Sequence, residues 1–540
     1  MSSRLNRISA LLLASAASAA LLAGPATAQD DPKPKHHHTA DSTAARLDRL
    51  ERVIEDQEVQ IKSLKAQVNQ STVAAATAPA QQQVSAAQFE ALQNQVYEQA
   101  AAAKSSGGNA TVALGKNGKP VISSADGRYT FSPRVLVQGD YASFSKNNVA
   151  AMPIKESGEN FRRGWIGFQG KFAGDFGYKF IYDFGGSNGD ETYQAYTNTK
   201  GALTSTGAGT GPHIQSALVT YKGFLDPFTF QIGAGAPPAN LGDSTAADDL
   251  IFNERASPSQ ISRSLGGDDG RDGVGFFGNG DWWFASGFLT GDTAGKGALI
   301  PPSNSQAAFV GRVAFFPFND PATNFSVHLG GNYTDVFQPQ ESTNSSSVTT
   351  YGITFSDRPE LRVDNFTLLN TTAINANSAY SAGLEGAVSW GPVLLQGENF
   401  WYGVSRRAPA TGVTNPNFSG WYLDASWVLT GEFHRYNPAT ASYTRPSPGS
   451  NFDPSAGDWG AWEIAGRYSD TDLDYHMTST TVLDRVFGGH QKIWTAALNF
   501  YPNDILKFGL DWQNVDADNV GKLANDAKYN VISLRTQVSF

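Results

Sequence analysis

Twelve charged side chains fall on one face of the alternating segments that fill the last three quarters of the sequence. The cations are Arg163, Lys179, Arg312, Arg467, Lys507 and Arg535, and the acids are Asp183, Glu385, Glu398, Asp424, Glu463 and Asp511. Arg offers a planar fork of donors and Lys a compact charge, so a row of them can replace part of an anion's hydration. Bond-making chemistry finds less support. Gly185-Gly186-Ser187-Asn188-Gly189 matches a nucleophile elbow but sits in a Gly-rich loop with no helix after it. Gly273-Val274-Gly275-Phe276-Phe277-Gly278 matches a dinucleotide fingerprint without a βαβ unit around it. A hydrolase would need a Ser/His pair, with His434 or His490 as its base, and no spacing brings one together. We therefore expect no catalytic residues, no cofactor and no metal. The three adjacent histidines, His36 to His38, cannot by themselves make a tetrahedral site.

The elements that must position these charges are strands. From Phe176 to Phe184 aromatic residues occupy every other position, with Lys179 and Asp183 between them. Strand period is two, so the rings share one face and the charges the other. Such a wall suits lipid outside and water inside. Sixteen such segments run from about residue 128 to Phe540, joined by tight turns such as Ala173-Gly174-Asp175 alternating with long polar loops such as 185–212 and 336–378. The last, VISLRTQVSF, ends in Phe540 and would close the sheet on itself, removing its free edges. Trp282, Trp283, Trp401, Trp421, Trp459 and Trp494 lie near strand ends, where aromatic girdles meet the interface. The expected fold is all-β: an antiparallel transmembrane β-barrel of about sixteen strands over 127–540, with an N-terminal α-helical coiled-coil extension.

Composition agrees. The chain has 540 residues, a net charge of −10 and no cysteine, which removes disulfides and Cys-based zinc or redox sites and argues against a nucleic-acid binder. Residues 1–28 read as a secretory signal, with Arg4 and Arg7, an apolar run and Ala26-Thr27-Ala28 at the cleavage site. Residues 29–109 read as an extension and linker. Within them Leu47, Ile54, Ile61 and Val68 repeat in heptads with Leu50, Gln57 and Leu64, as in a short coiled coil, dimeric or trimeric. Beyond the first thirty residues no apolar run is long enough for a membrane-spanning helix.

The segments FRRGWIGFQGKFAGDFGYKFIYDFGG, ALVTYKGFLDPFTFQIGAG, DDLIFNERASPSQ and LNFYPNDILKFGLDWQNV, in that order, resemble the phosphate-selective porins of the type O and P family, which are trimeric sixteen-stranded outer-membrane channels. The resemblance covers about Gly127 to Phe540. It implies a third loop, about Ala236 to Asp272, folded into the channel and lined by cations. By the resemblance Arg162 and Arg163 stand where the family keeps a basic pair and Arg255 lies in the loop; alternation adds Lys179, and the loop's charges add Arg263 and Arg271, so these six are the residues expected for an anion path. On parity Arg162 would face lipid unless a bulge shifts the register. The loop's start, QIGAGAPPANLGD, lacks the lysines of the family's phosphate-specific members. The expectation is a homotrimeric porin of the bacterial outer membrane, with its N-terminal extension in the periplasm. It would pass small hydrophilic solutes, leaning to anions such as phosphate, and touch outer-membrane lipid but no nucleic acid. The alternatives are a general diffusion porin and an envelope tether whose coiled coil contacts the cell wall.

Overall fold

Asn417–Val428, NFSGWYLDASWV, shows why the chain makes this wall. Asn417, Ser419, Trp421, Leu423, Ala425 and Trp427 are exposed and the residues between them are buried, with no break in the alternation. Aromatic and aliphatic side chains outside need an apolar surround, while polar side chains inside need partners, and only a closed sheet supplies both.

The computed structural model describes residues 110–114, 120–148, 157–185, 194–195, 204–205, 213–294, 305–343, 349–364, 367–518 and 526–540. The expected signal peptide and coiled-coil extension lie outside the described residues. The barrel strands are β1 (Thr130–Asn148), β2 (Ser157–Phe172), β3 (Phe176–Asp183), β4 (His213–Leu225), β5 (Phe228–Ala234), β6 (Arg271–Asn279), β7 (Trp283–Thr293) and β8 (Ala307–Asp320). They continue with β9 (Phe325–Gln338), β10 (Ile374–Trp390), β11 (Val393–Arg406), β12 (Asn417–Val428), β13 (Ala461–Tyr475), β14 (Val486–Tyr501), β15 (Leu506–Asp518) and β16 (Ala527–Ser539). Each pairs antiparallel with the next, and β16 pairs with β1, for example Val538↔Val137. The sixteen-stranded barrel is closed. A short hairpin, Thr111–Leu114 with Pro120–Ser123, extends the sheet at the start of β1.

The outer face carries Phe168, Phe180, Leu329, Leu384, Leu423 and Leu534, all exposed. Trp282, Trp401, Trp421, Trp459 and Trp494 are exposed, while Trp283 is partly covered against Phe228; Trp494 sits at the middle of β14 and not near its end.

Long loops leave one rim and tight turns the other, with an exception the alternation did not predict. Segment 429–460 joins β12 to β13 on the short-turn rim and is long; its Tyr436 and Tyr443 are buried. Two segments from the opposite rim also fold inward. Segment 235–270 carries two helices, α1 (Leu241–Ser244) and α2 (Ser257–Gly266). Segment 339–373 contributes Phe355, Leu361 and Val363 to the interior.

These three segments dock on apolar seats inside an otherwise polar wall. Ile261 and Leu265 of α2 pack with Phe355, Phe400, Tyr402 and Phe418. Leu361, Val363 and Leu368 meet Phe144, Ile493, Val515 and Val531. Leu241 and Phe252 meet Phe284, Phe316, Tyr436 and Tyr443. Each fully buried large side chain contributes about 1.5–3 kcal/mol toward holding these segments in place.

Candidate functional site: the barrel lumen

All twelve charges placed inward by alternation do face inward, so strand period located the lumen correctly. Arg162 joins them through a bulge in β2: pairing runs Gln138↔Arg163 and then Gly139↔Phe161, so Arg162 is the extra residue and both guanidinium groups turn in.

That pair meets the in-folded loop at Glu254. Arg162 donates to both its oxygens at 2.7 and 2.9 Å. Arg163 donates to Gln138 Oε1 at 2.7 Å and lies 3.6 Å from Glu254. From β16, Arg535 donates to Glu254 at 2.8 Å and to Asp140 at 2.7 and 2.6 Å. Three guanidinium groups thus surround two carboxylates, all buried. Charge-assisted forks of this kind fix geometry as well as energy.

The two arginines of the loop and Arg271 at the start of β6 are also engaged. Arg255 donates to the carbonyls of Gly242 (2.7 Å) and Thr245 (2.9 Å), at the end of α1. At the start of that helix Glu398 of β11 accepts from the Leu241 and Gly242 amides, each at 2.9 Å, and from the Tyr422 hydroxyl at 2.7 Å. A carboxylate at the start and a guanidinium at the end match the helix dipole. Gly242 is obligatory, because a Cβ there would lie 2.4 Å from Ser259 Oγ. Arg263 binds Asp243, Asp268 and Asp269. Arg271 donates to the carbonyls of Gly267 (2.7 Å) and Gly291 (3.0 Å).

Wall cations hold the loop as well. Lys507 donates to Leu250 O (2.6 Å) and Ile251 O (3.1 Å), and Arg467 to Glu254 O (2.8 Å) while paired with Asp424. Arg467 also lies 3.3 Å from Glu360, which accepts from the Ser257 amide at 3.0 Å and so joins the segment 339–373 to α2. On the other side Arg312 pairs with Glu385 and donates to Thr440 O (2.9 Å) and Ala441 O (2.7 Å), seating the segment 429–460. The backbone of a buried loop needs partners for its polar groups, and these side chains provide them.

Lys179 is different. It faces inward on β3, partly exposed, with no hydrogen bond or ion pair among the described residues. The charges that act on it are Arg134, Asp269 and Asp248. Both acids are already bonded, Asp248 to Arg134 at 2.7 Å and Asp269 to Arg263 at 2.7 Å. Toward the short-turn rim two further exposed lysines share its face: Lys171 of β2, opposite Gly177, and Lys222 of β4, two residues beyond Thr220. Neither has an ion pair among the described residues. The sequence reading missed both, though extending the parity test to the strand ends would have found them. The six residues expected to line an anion path thus divide: five arginines are bound to carboxylates or carbonyls, and Lys179 stands apart with Lys171 and Lys222.

A closed antiparallel barrel with an apolar outer face, a polar interior and an in-folded loop is the architecture of an outer-membrane diffusion channel. The profile described as Phosphate-selective porin O and P matches residues 134–540. The chain belongs to that family, and it is an outer-membrane porin. An uncharacterized protein of Caulobacter vibrioides is 31% identical over 197 residues, which are 36% of this chain and 36% of that protein. Among solved structures, the outer-membrane channel DcaP of Acinetobacter baumannii covers 76% of this chain and 97% of its own length at 10% identity, with a TM-score of 0.42. An anion-selective porin from Comamonas acidovorans covers 76% and 100% at 12% identity, with a TM-score of 0.44.

Proposed function

We propose that this porin passes small hydrophilic solutes passively and leans to anions such as phosphate, with Lys179, Lys171 and Lys222 as the cations that meet them. The observation that carries this reading is the lack of any bonded partner for Lys179 among the described residues. An ammonium whose donors are free can exchange water for a passing anion's oxygen, whereas a guanidinium locked to a carboxylate cannot. Arg162, Arg163, Arg255, Arg263 and Arg271 are then positioning residues. They set the shape of the constriction and contribute to the field without coordinating the solute.

Short turns of such barrels face the periplasm. β1 starts and β16 ends on the short-turn rim, so the N-terminal extension 29–109 would leave into the periplasm, where its coiled coil could reach the cell wall and support a homotrimer. The lysines would then form the periplasmic mouth. The bonded state of the five arginines favours a second reading, a general diffusion porin that keeps the family's barrel and in-folded loop without a phosphate site.

Chloride conductance of single channels, titrated with phosphate, separates the two. The anion reading expects block by phosphate in the wild type and weaker block in Lys179→Gln. Equal currents with and without phosphate would leave the general porin.

A further inference from the structure

We infer that a cluster of ordered water molecules is bound between the inner wall of β14 and β15 and the in-folded loop, held by Thr495, Asn499, Asp511 and Gln513. The four residues occupy adjacent rows of the sheet: Thr495 pairs with Gln513, Ala497 with Asp511, and Asn499 with Gly509. They are 3%, 0%, 1% and 2% exposed. In each, one oxygen has no hydrogen-bond partner among the described residues: the acceptors Asn499 Oδ1, Asp511 Oδ1 and Gln513 Oε1, and Thr495 Oγ1, a hydroxyl that can both donate and accept.

The amide orientations cannot be reversed to remove the problem. Asn499 Nδ2 donates to Ile251 O at 2.8 Å and Glu463 Oε2 at 3.0 Å, and Gln513 Nε2 donates to Glu360 O at 3.2 Å. Those partners only accept, so a flip would set oxygen against oxygen. The other oxygen of Asp511 accepts from the Asn253 amide at 2.9 Å, which fixes the carboxylate. Gly509 spares the Asn499 end from crowding: a Cβ there would lie 3.1 Å from Asn499 Oδ1 and 3.3 Å from Asn253 Oδ1.

Three acceptors and a hydroxyl on neighbouring rows, buried this fully, require partners, because a buried polar atom left bare costs its whole desolvation. The ligand must be small, must donate, and must bring little charge. Lys507 Cε lies 4.0 Å from the same Cβ point, and Arg535 and Arg467 also face Asp511, so a further cation would meet repulsion. Water meets all three requirements, and buried waters usually make about three such bonds. They would complete the seat of Asn253 and Glu254 on the wall, a role independent of which solute the channel passes.

A high-resolution map of the full-length protein should show water density within hydrogen-bonding distance of at least a pair of these oxygens. No density there overturns the inference, as does an anomalous peak at that place in crystals grown with rubidium or thallium, which would mark a cation site. Thr495→Val gives a second test, since it keeps the shape and removes only the hydroxyl. Loss of a water partner should speed amide exchange at Asn253 and Glu254. Unchanged or slower exchange there would mean that the hydroxyl held no water.

Discussion

Glu398 is the wall's hold on the start of the in-folded loop, and removing it should free α1 without opening the barrel. Glu398→Ala leaves three donors without an acceptor: the buried Leu241 amide and Tyr422 hydroxyl and the partly buried Gly242 amide. At about 1–3 kcal/mol each, their loss totals roughly 3–9 kcal/mol. Against this, burying a carboxylate with no cation at ion-pair distance among the described residues costs several kcal/mol, which the substitution returns. Taking about 6 kcal/mol for the donors and about 3 kcal/mol for the returned burial cost, the donors win by about 3 kcal/mol, or roughly 100-fold in the opening equilibrium of the loop. The assay is amide exchange of peptides spanning Ala239–Thr245 in the full-length protein, read beside single-channel conductance. Exchange should quicken on that scale and the conductance should rise and become noisier, while β10 to β12 stay protected. Glu398→Gln, which keeps one acceptor, should fall between. If Ala leaves both exchange and conductance unchanged, the assignment of Glu398 as the anchor is wrong.

Other consequences follow from the same geometry. Arg535→Met strands Asp140 in the interior, while Glu254 keeps Arg162, and should destabilise the protein by about 3–5 kcal/mol, seen as a lower unfolding temperature of the purified barrel. Replacing 433–446 by a short Gly/Ser turn removes Tyr436 and Tyr443 from the lumen and should raise conductance; equal conductance would show that this segment lies off the path. At the loop rim the Asp484 carboxyl is held well below its ordinary range, first by the Thr414 amide and then by His476 and the Thr414 hydroxyl. A depressed acid adds stability above its unfolded value, near pH 4, and loses it only as pH falls through the lower folded value. The tie between loops 407–416 and 476–485 should therefore survive mild acid and be lost in Asp484→Asn, as limited proteolysis across pH would report.

Most of the barrel was legible because one rule, alternation, decides each strand independently of the others. NFSGWYLDASWV and VISLRTQVSF announce their faces without reference to any partner. The in-folded loop was legible only by its place in the order of strands and the family resemblance. What covers a lumenal side chain was not legible at all. Parity put Arg467 and Lys507 inside, but nothing in their neighbours along the chain says that Glu254 O, Leu250 O and Ile251 O will take their donors, because those contacts span more than two hundred residues. Segment 429–460 was missed for a related reason. Its polar, Pro-containing composition reads as an exposed loop, and Tyr436 and Tyr443 are too few to mark an inserted hairpin. Arg162 shows the intermediate case, in which strict period two gave the wrong face and a one-residue bulge corrected it.

The most direct test of the account is the reversal potential of the purified protein in a planar bilayer under a KCl gradient, for the wild type and for the triple substitution Lys171→Gln, Lys179→Gln, Lys222→Gln. The account predicts an anion-directed potential in the wild type that moves toward zero in the triple variant while the conductance persists. A wild-type potential already at zero or cation-directed, or one that the three substitutions leave unmoved, would contradict the claim that these lysines meet the solute.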